Sequence, residues 1–446
     1  MADNADPKRW GNASRRKFLQ GAAALAGVTA ASQFPGIARG AAATELKIGY
    51  MAHPIQDASI KWIKKWGELN KVTITAAPVS YEVYVEKMTA NLTSGSDQYD
   101  IIWHNDDWGQ LWGRYLEPVD DIPALKTINR YILEPFWIWE GKVTGFPMVE
   151  TIGTFFYRTD LIQENEFPRT WDQLIQVSQR LQKAGKVKYG FVGGMKYPHS
   201  WFTFFWSIWG NNGDLFLPVF ERDNAKMAAL GWKSGLTHPE AVEAIEFWWD
   251  NIHTHKIVPP GQPTYTRTDA NAIFMAGDAA ITMADTTFYG EFNSPAKSKV
   301  AGKISVAPYI MGPRAPFKSI AWRDPWGWAI PKAVAVEKKR LAKEALNWIT
   351  LSKEGQVDIW KLTGGIPPNE DIQKELVKED PFFRKLRAVT IESERLMHGS
   401  LYFARWPEVH ANTADYLVRA VMGPRDNIKK TLAELAQKIE EIARRP

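Results

Sequence analysis

From Glu45 onward the chain alternates between short apolar runs and stretches whose apolar residues recur every three or four positions. Glu45 to Tyr50 predicts a first strand, and Ile55 to Leu69 a helix with Ile60, Ile63, Trp66 and Leu69 on its apolar face. Lys71 to Pro78 alternates like a second strand, Tyr84 to Leu92 returns to helical spacing, and Gly95 stops it. Tyr99-Asp100-Ile101-Ile102-Trp103 then predicts a short buried strand. This βαβαβ order predicts a parallel sheet with helices on both faces, where ligands lie beyond the carboxyl ends of the strands. The loops after Tyr50, Pro78 and Trp103 are therefore candidate site loops.

Past a linker rich in proline and aromatic residues, Thr170-Trp171-Asp172-Gln173 has the spacing of a capping box. Leu174, Ile175, Val177 and Leu181 continue on one face, and Gly185 ends the helix. The same periodicity predicts helices over 239–253, 269–276, 338–351 and 427–444. There is no internal repeat and no low-complexity tract. No segment beyond the first 43 residues has the apolar length of a membrane span, since even Trp201 to Trp206 soon reaches Gly210-Asn211-Asn212-Gly213.

The first 43 residues have a different character. Ser14-Arg15-Arg16-Lys17-Phe18-Leu19 precedes a mildly apolar run from Gly21 to Val28, and small residues follow at Ala41-Ala42-Ala43. That is the layout of a twin-arginine export signal, so residues 1–43 are expected to be removed and the mature protein to work in the periplasm. The segment carries Lys8, Arg9, Arg15, Arg16, Lys17 and Arg39 against Asp3 and Asp6, which is +4 of the chain's +5 net charge. The remainder is nearly neutral, which argues against nucleic acid as a partner. Absence of cysteine excludes disulfides, thiolate metal sites, iron–sulfur clusters and a lipidated cysteine anchor. The remaining length exceeds one typical core and predicts two domains.

Seven motifs in order resemble the extracellular solute-binding proteins of ABC importers, family 1, the group that includes maltose-binding protein. Tyr84 to Met88, Ser94-Gly95 and Tyr99-Asp100-Ile101-Ile102 resemble its helix, turn and Asp-led strand. Gly113 to Asp121 resembles its G-x-L-x-P-L-D-D segment. Gly141 to Pro147 and Phe156 to Leu161 follow, with Arg158 in place of the common Asn, then Pro168 to Leu174. Phe274 to Met283, with Asp278 replacing the usual Lys, precedes Glu344 to Ile349 and Gly364-Gly365-Ile366-Pro367-Pro368.

The resemblance implies an α/β, two-lobed periplasmic-binding-protein fold (type II), each lobe a mainly parallel sheet flanked by helices, with a ligand cleft between the lobes. By analogy lobe 1 spans 46–154 plus 285–328, and lobe 2 spans 155–284 plus 329–446. It implies a monomer that captures a small solute, closes, and docks on an ABC permease in the inner membrane. Export would engage the twin-arginine translocase.

A sugar or polyol site needs aromatic platforms among Asp, Asn, Glu and Arg side chains. His53 and Tyr81 follow the first two strands. In Trp103-His104-Asn105-Asp106-Asp107-Trp108, the resemblance aligns Asn105 with a ligand-contacting position and Trp108 with a stacking one; Asp107 lies between them. Glu150 and Thr151 mark the first crossing, Asp285 and Thr286 follow the strand from Ala280, and Trp322, Asp324 and Trp326 precede the last crossing. Trp326 and Trp108 are favoured as platforms because their neighbours are polar and turn-forming. Trp103 and Trp328 read as core, and Trp201, Trp206 and Trp209 either line the cleft or pack lobe 2. Arg323 and Asp324 are adjacent and are expected to pair with each other or with ligand.

Neither a metal nor a cofactor is expected. His253-Thr254-His255 has a spacing that does not put both rings on one helix face. The alternatives are a non-sugar solute, or a secreted glycoside hydrolase with Glu150 and Asp285 as its carboxylate pair. No G-x-S-x-G, H-E-x-x-H, P-loop or G-x-G-x-x-G motif is present.

Overall fold

The computed structural model describes residues 44–128, 130–133, 137–390, 393–398 and 403–445. The twin-arginine segment, residues 1–43, lies outside them. The strands are β1 (Glu45–Met51), β2 (Thr73–Val79), β3 (Ile101–Asn105), a small hairpin of β4 (Ile138–Trp139) and β5 (Lys142–Val143), β6 (Phe146–Arg158), β7 (Tyr189–Val192), β8 (Ala279–Asp285), β9 (Ile304–Ala307), β10 (Ile320–Ala329) and β11 (Arg395–His398). Apart from the hairpin they form one sheet in the order β2-β1-β3-β10-β6-β8-β7, with β11 on β10 and β9 on β6.

The two long strands tie the molecule together. β10 runs antiparallel to β3 with Trp326 opposite Asn105, and antiparallel to β6 with Asp324 opposite Thr151. The far half of β6 pairs antiparallel with β8, setting Gly153 opposite Asp285. The parallel pairs β1/β2, β1/β3 and β7/β8 flank these crossing strands, so the α/β architecture carries a mixed sheet. The crossing strands enter each half from the other, which sets them against β3 and β8.

Two hydrophobic cores lie on either side of the crossing. One gathers Ile48, Ile101, Trp103, Met148, Trp326, Trp328, Leu346 and Ile349. The other gathers Phe155, Phe191, Trp206, Trp248, Ile281, Val306, Trp322, Leu417 and Leu432. The segment boundaries expected from the resemblance need correction. Phe292, Val300 and Val306 belong to the second core, whereas Leu341, Leu346 and Ile359 belong to the first. The reason is that β10 delivers the chain back to the first half, where helices Val336–Leu351 and Lys353–Thr363 pack on helix Pro54–Asn70. Trp62 Nε1 from that helix donates to Asp358 Oδ2 at 2.8 Å. The chain returns at Ile366, whose backbone exchanges hydrogen bonds of 2.9 and 2.8 Å with Glu150.

Local departures from expectation have simple causes. Leu69 is 66% exposed, because steps of three residues fall about 60° short of a helical turn and drift off the buried face set by Ile60. Thr170 caps helix Trp171–Lys183 through Gln173 N–H at 3.3 Å, but Gln173 Oε1 accepts from Arg169 N–H, so the box is not reciprocal. The reciprocal box is Thr266 with Asp269, which starts helix Arg267–Met275 two residues before the expected position. No helix of the described residues is long and apolar enough to cross a membrane.

Candidate functional site

A cavity of about 80 Å³ lies where the carboxyl ends of β1, β3, β7 and β8 converge on β10. Such convergence is where open α/β sheets bind ligands, because side chains from several strand ends can meet there. From the first half come Met51, ending β1, Asn105, ending β3, and Asp107 in the turn that follows. The second half supplies Asp285, ending β8, Arg267, and Pro198, His199, Trp201 and Phe202 from the loop after β7. Trp322, Arg323, Asp324 and Trp326 come from β10 itself.

Asn105 Oδ1 accepts from Trp103 Nε1 at 2.6 Å, which fixes the amide at the cavity edge. The capping box places Arg267 at the first helical position. From there its Nη1 donates to Asp285 Oδ2 at 2.6 Å, and the guanidinium lies 4.7 Å from the Phe288 ring centre. Burial raises the Asp285 carboxyl above its usual range, with Arg267 opposing. Arg323 engages Glu150, both almost fully buried. Glu150 and Asp285 thus each hold an arginine, which does not resemble an acid and nucleophile pair kept ready for hydrolysis.

Asp107 differs. Its buried Oδ1 has no hydrogen-bond partner, and burial followed by the nearby Asp324 charge pushes its pKa up to about 8. Tyr197 beside it is pushed up to about 12 by burial and then by Asp107. His199 is held well below the usual histidine range by burial, Arg267 and His410, and is neutral. Behind the loop, His410 from helix Trp406–Met422 lies 3.0 Å from Ser200 Oγ, and its ring meets Trp201 at 4.7 Å and Tyr197 at 5.0 Å. Buried to a pKa of about 3, it is a neutral prop for the loop.

Of the residues expected at the site, the structure brings Asn105, Asp107, Asp285, Trp322, Asp324 and Trp326 to the cavity wall. The others lie elsewhere. His53 caps helix Pro54–Asn70 and packs edge-on against Trp326 at 5.4 Å. Tyr81 opens helix Tyr81–Thr93. Trp108 is buried against Tyr84 and Trp112, because the turn after β3 folds it inward. Trp206 is second-half core, donating to Phe202 O at 3.1 Å. Glu150 and Thr151 sit within the crossing, where Thr151 Oγ1 donates to Asp324 O at 3.2 Å. Thr286 is buried, and its Oγ1 has no partner.

Sequence reasoning missed Met51, Pro198, His199, Phe202 and Arg267, and left Trp201 open. The Thr266-x-x-Asp269 box would have exposed Arg267 as a helix start, and reading Tyr189–Val192 as a strand would have pointed to the loop after it. Among the described residues no group of three or more His, Cys, Asp or Glu could hold a metal. His253 instead sits 2.8 Å from Val421 O through Nε2.

The profile of the family described as bacterial extracellular solute-binding protein matches residues 61–385. A probable ABC transporter-binding protein of Deinococcus radiodurans is 24% identical over 306 residues, covering 66% of this chain and 67% of that one. Among solved structures, maltose-bound MalE3 of T. maritima superposes with a TM-score of 0.76 at 22% identity, covering 90% of this chain and all of that one, 100%. An ABC transporter solute-binding protein of Agrobacterium radiobacter K84 in complex with ribitol gives 0.73 at 18% identity, covering 90% and 98%.

Proposed function

Starting from the fact that the chain belongs to the bacterial extracellular solute-binding proteins, we propose that it captures a sugar, oligosaccharide or polyol for an ABC importer. The observation that carries this reading is a cavity walled by the aromatic residues Trp201, Trp322 and Trp326 together with the polar residues Asn105, Asp107, Asp285 and Asp324. Aromatic faces suit the C–H faces of a sugar, and polar side chains suit its hydroxyls. The maltose and ribitol complexes of the structural neighbours support the same class.

The cavity walls come from both cores, so a ligand that touches both stabilises closure by its differential contacts. The closed form then docks on a membrane permease. We place the mature protein in the periplasm as a cofactor-free monomer, exported through the twin-arginine translocase by residues 1–43. The first lobe comprises the β1–β3 half with the segment from Trp326 to Ile359, and the second the remainder.

A thermal-shift screen over sugars, polyols and small acids tests the reading. A sugar or polyol raises the melting temperature, changes tryptophan fluorescence, and is recovered intact. Turnover of the sugar, or stabilisation only by unrelated solutes, overturns it.

A further inference from the structure

The size of the cavity is set by how its walls are held. Trp326 belongs to the first core, Trp322 and Phe202 belong to the second, and none of the three is more than 5% exposed. Met51 and Asn105 end strands β1 and β3. Such walls yield only if a close-packed core rearranges around them. The two halves also touch beside the cavity. His53, which caps the first helix of one half, meets the ring of Phe288 from the other edge-on at 6.3 Å. Tyr197 of the second half lies beside Asp107 of the first. Helix Lys353–Thr363 puts Ile359 into one core and the adjacent Trp360 into the other. The space is therefore bounded by halves already in contact, and its volume is the room left for a captured ligand.

About 80 Å³ of that space is open to the centres of water-sized atoms. Taken as a compact chamber, with a water radius of about 1.4 Å added all round, it has an envelope of roughly 280 Å³. At the density of an organic crystal, which protein interiors share, a hexose fills roughly 190 Å³ and a disaccharide roughly 360 Å³. One ring fits and leaves room for about three waters at ~30 Å³ each. Two rings exceed the envelope before any hydrogen bond is made.

We propose that the ligand is a single sugar unit or an alditol of similar length, and that the cavity excludes disaccharides and longer glycans by size. This deepens the sugar or polyol reading and rests on it, removing the oligosaccharide from its range. A larger glycan enters only while the halves stay apart, loses contacts with one of them, and so does not stabilise closure.

The test uses the purified protein and matched panels of monosaccharides and alditols beside the di- and trisaccharides built from the same units, in calorimetric titrations and thermal-shift runs. A monosaccharide or alditol is expected to bind more than about tenfold tighter than any di- or trisaccharide that contains it. Trp201→Ala removes a half-buried part of the wall and should reduce that gap by admitting a second ring. Trp201→Leu, a smaller cut, stands in if the first variant does not fold. Di- or trisaccharides that bind within about tenfold of their single units, or a gap undiminished in the folded variant, overturn the proposal while the sugar or polyol reading stands. A protein that binds no polyhydroxyl compound of any size overturns both.

Discussion

Glu150→Gln is the sharpest test of how the crossing is held. The change keeps shape and removes one charge from a pair whose side chains are 0% and 5% exposed. Arg323 is then a buried guanidinium facing a neutral amide. Removing one partner of a buried ion pair costs about 3–5 kcal/mol, because the remaining charge has lost both water and its counterion. The Glu150 backbone keeps its two hydrogen bonds to Ile366, so the loss comes from the charge. Replacing both residues, Glu150→Gln with Arg323→Met, removes the stranded charge and should recover about 1–4 kcal/mol of the deficit. Urea unfolding followed by far-UV circular dichroism and by fluorescence measures both, provided the two probes give coincident transitions. A single variant within about 1 kcal/mol of the parent, or a double variant no more stable than the single, refutes the argument.

Trp326→Ala should weaken sugar binding by about 1–3 kcal/mol and, since Trp326 is also core, lower stability by about 3–5 kcal/mol; unchanged affinity in a folded variant removes it from the site. At Gly153→Ala the new Cβ falls 2.4 and 2.6 Å from the Cζ2 and Cε2 of Trp322, so overpacking should cost about 1–3 kcal/mol and displace the indole, read as lost ligand affinity and a shifted emission maximum. Asp107 has a folded-state pKa raised to about 8, so its contribution favours folding at low pH and is lost as pH rises from about 4 through about 8. The ligand-free Asp107→Asn variant should therefore lose less stability than the parent over that window, as read from denaturation midpoints against pH; parallel curves contradict it.

Helix Pro239–His253 and the strand at β1 follow directly from apolar spacing, because their neighbours along the chain decide which face is buried. The strand-end rule likewise found Asn105, Asp107 and Asp285. What was not legible depends on contacts far apart in sequence. Trp108 and Trp326 have similar polar neighbours, yet the turn after β3 sends Trp108 against Tyr84, while the antiparallel register of β10 holds Trp326 at the cavity. Arg323 pairs with Glu150, 173 positions away in the chain, a contact that only the pairing of β10 with β6 brings together. His199 and Phe202 belong to a loop whose preceding strand is only four residues long, too short to register as a period.

The return of the chain from β10 into the first half has a consequence for synthesis. That half is not a continuous stretch: its core stays unfinished until the ribosome has added Leu346, Ile349 and Ile359, and by then much of the other half has already been made. No single cut in the gene releases either half intact, and a truncated product ending after β10 would expose the apolar face of helix Pro54–Asn70 to water. Maturation is therefore close to an all-or-nothing event of the late chain.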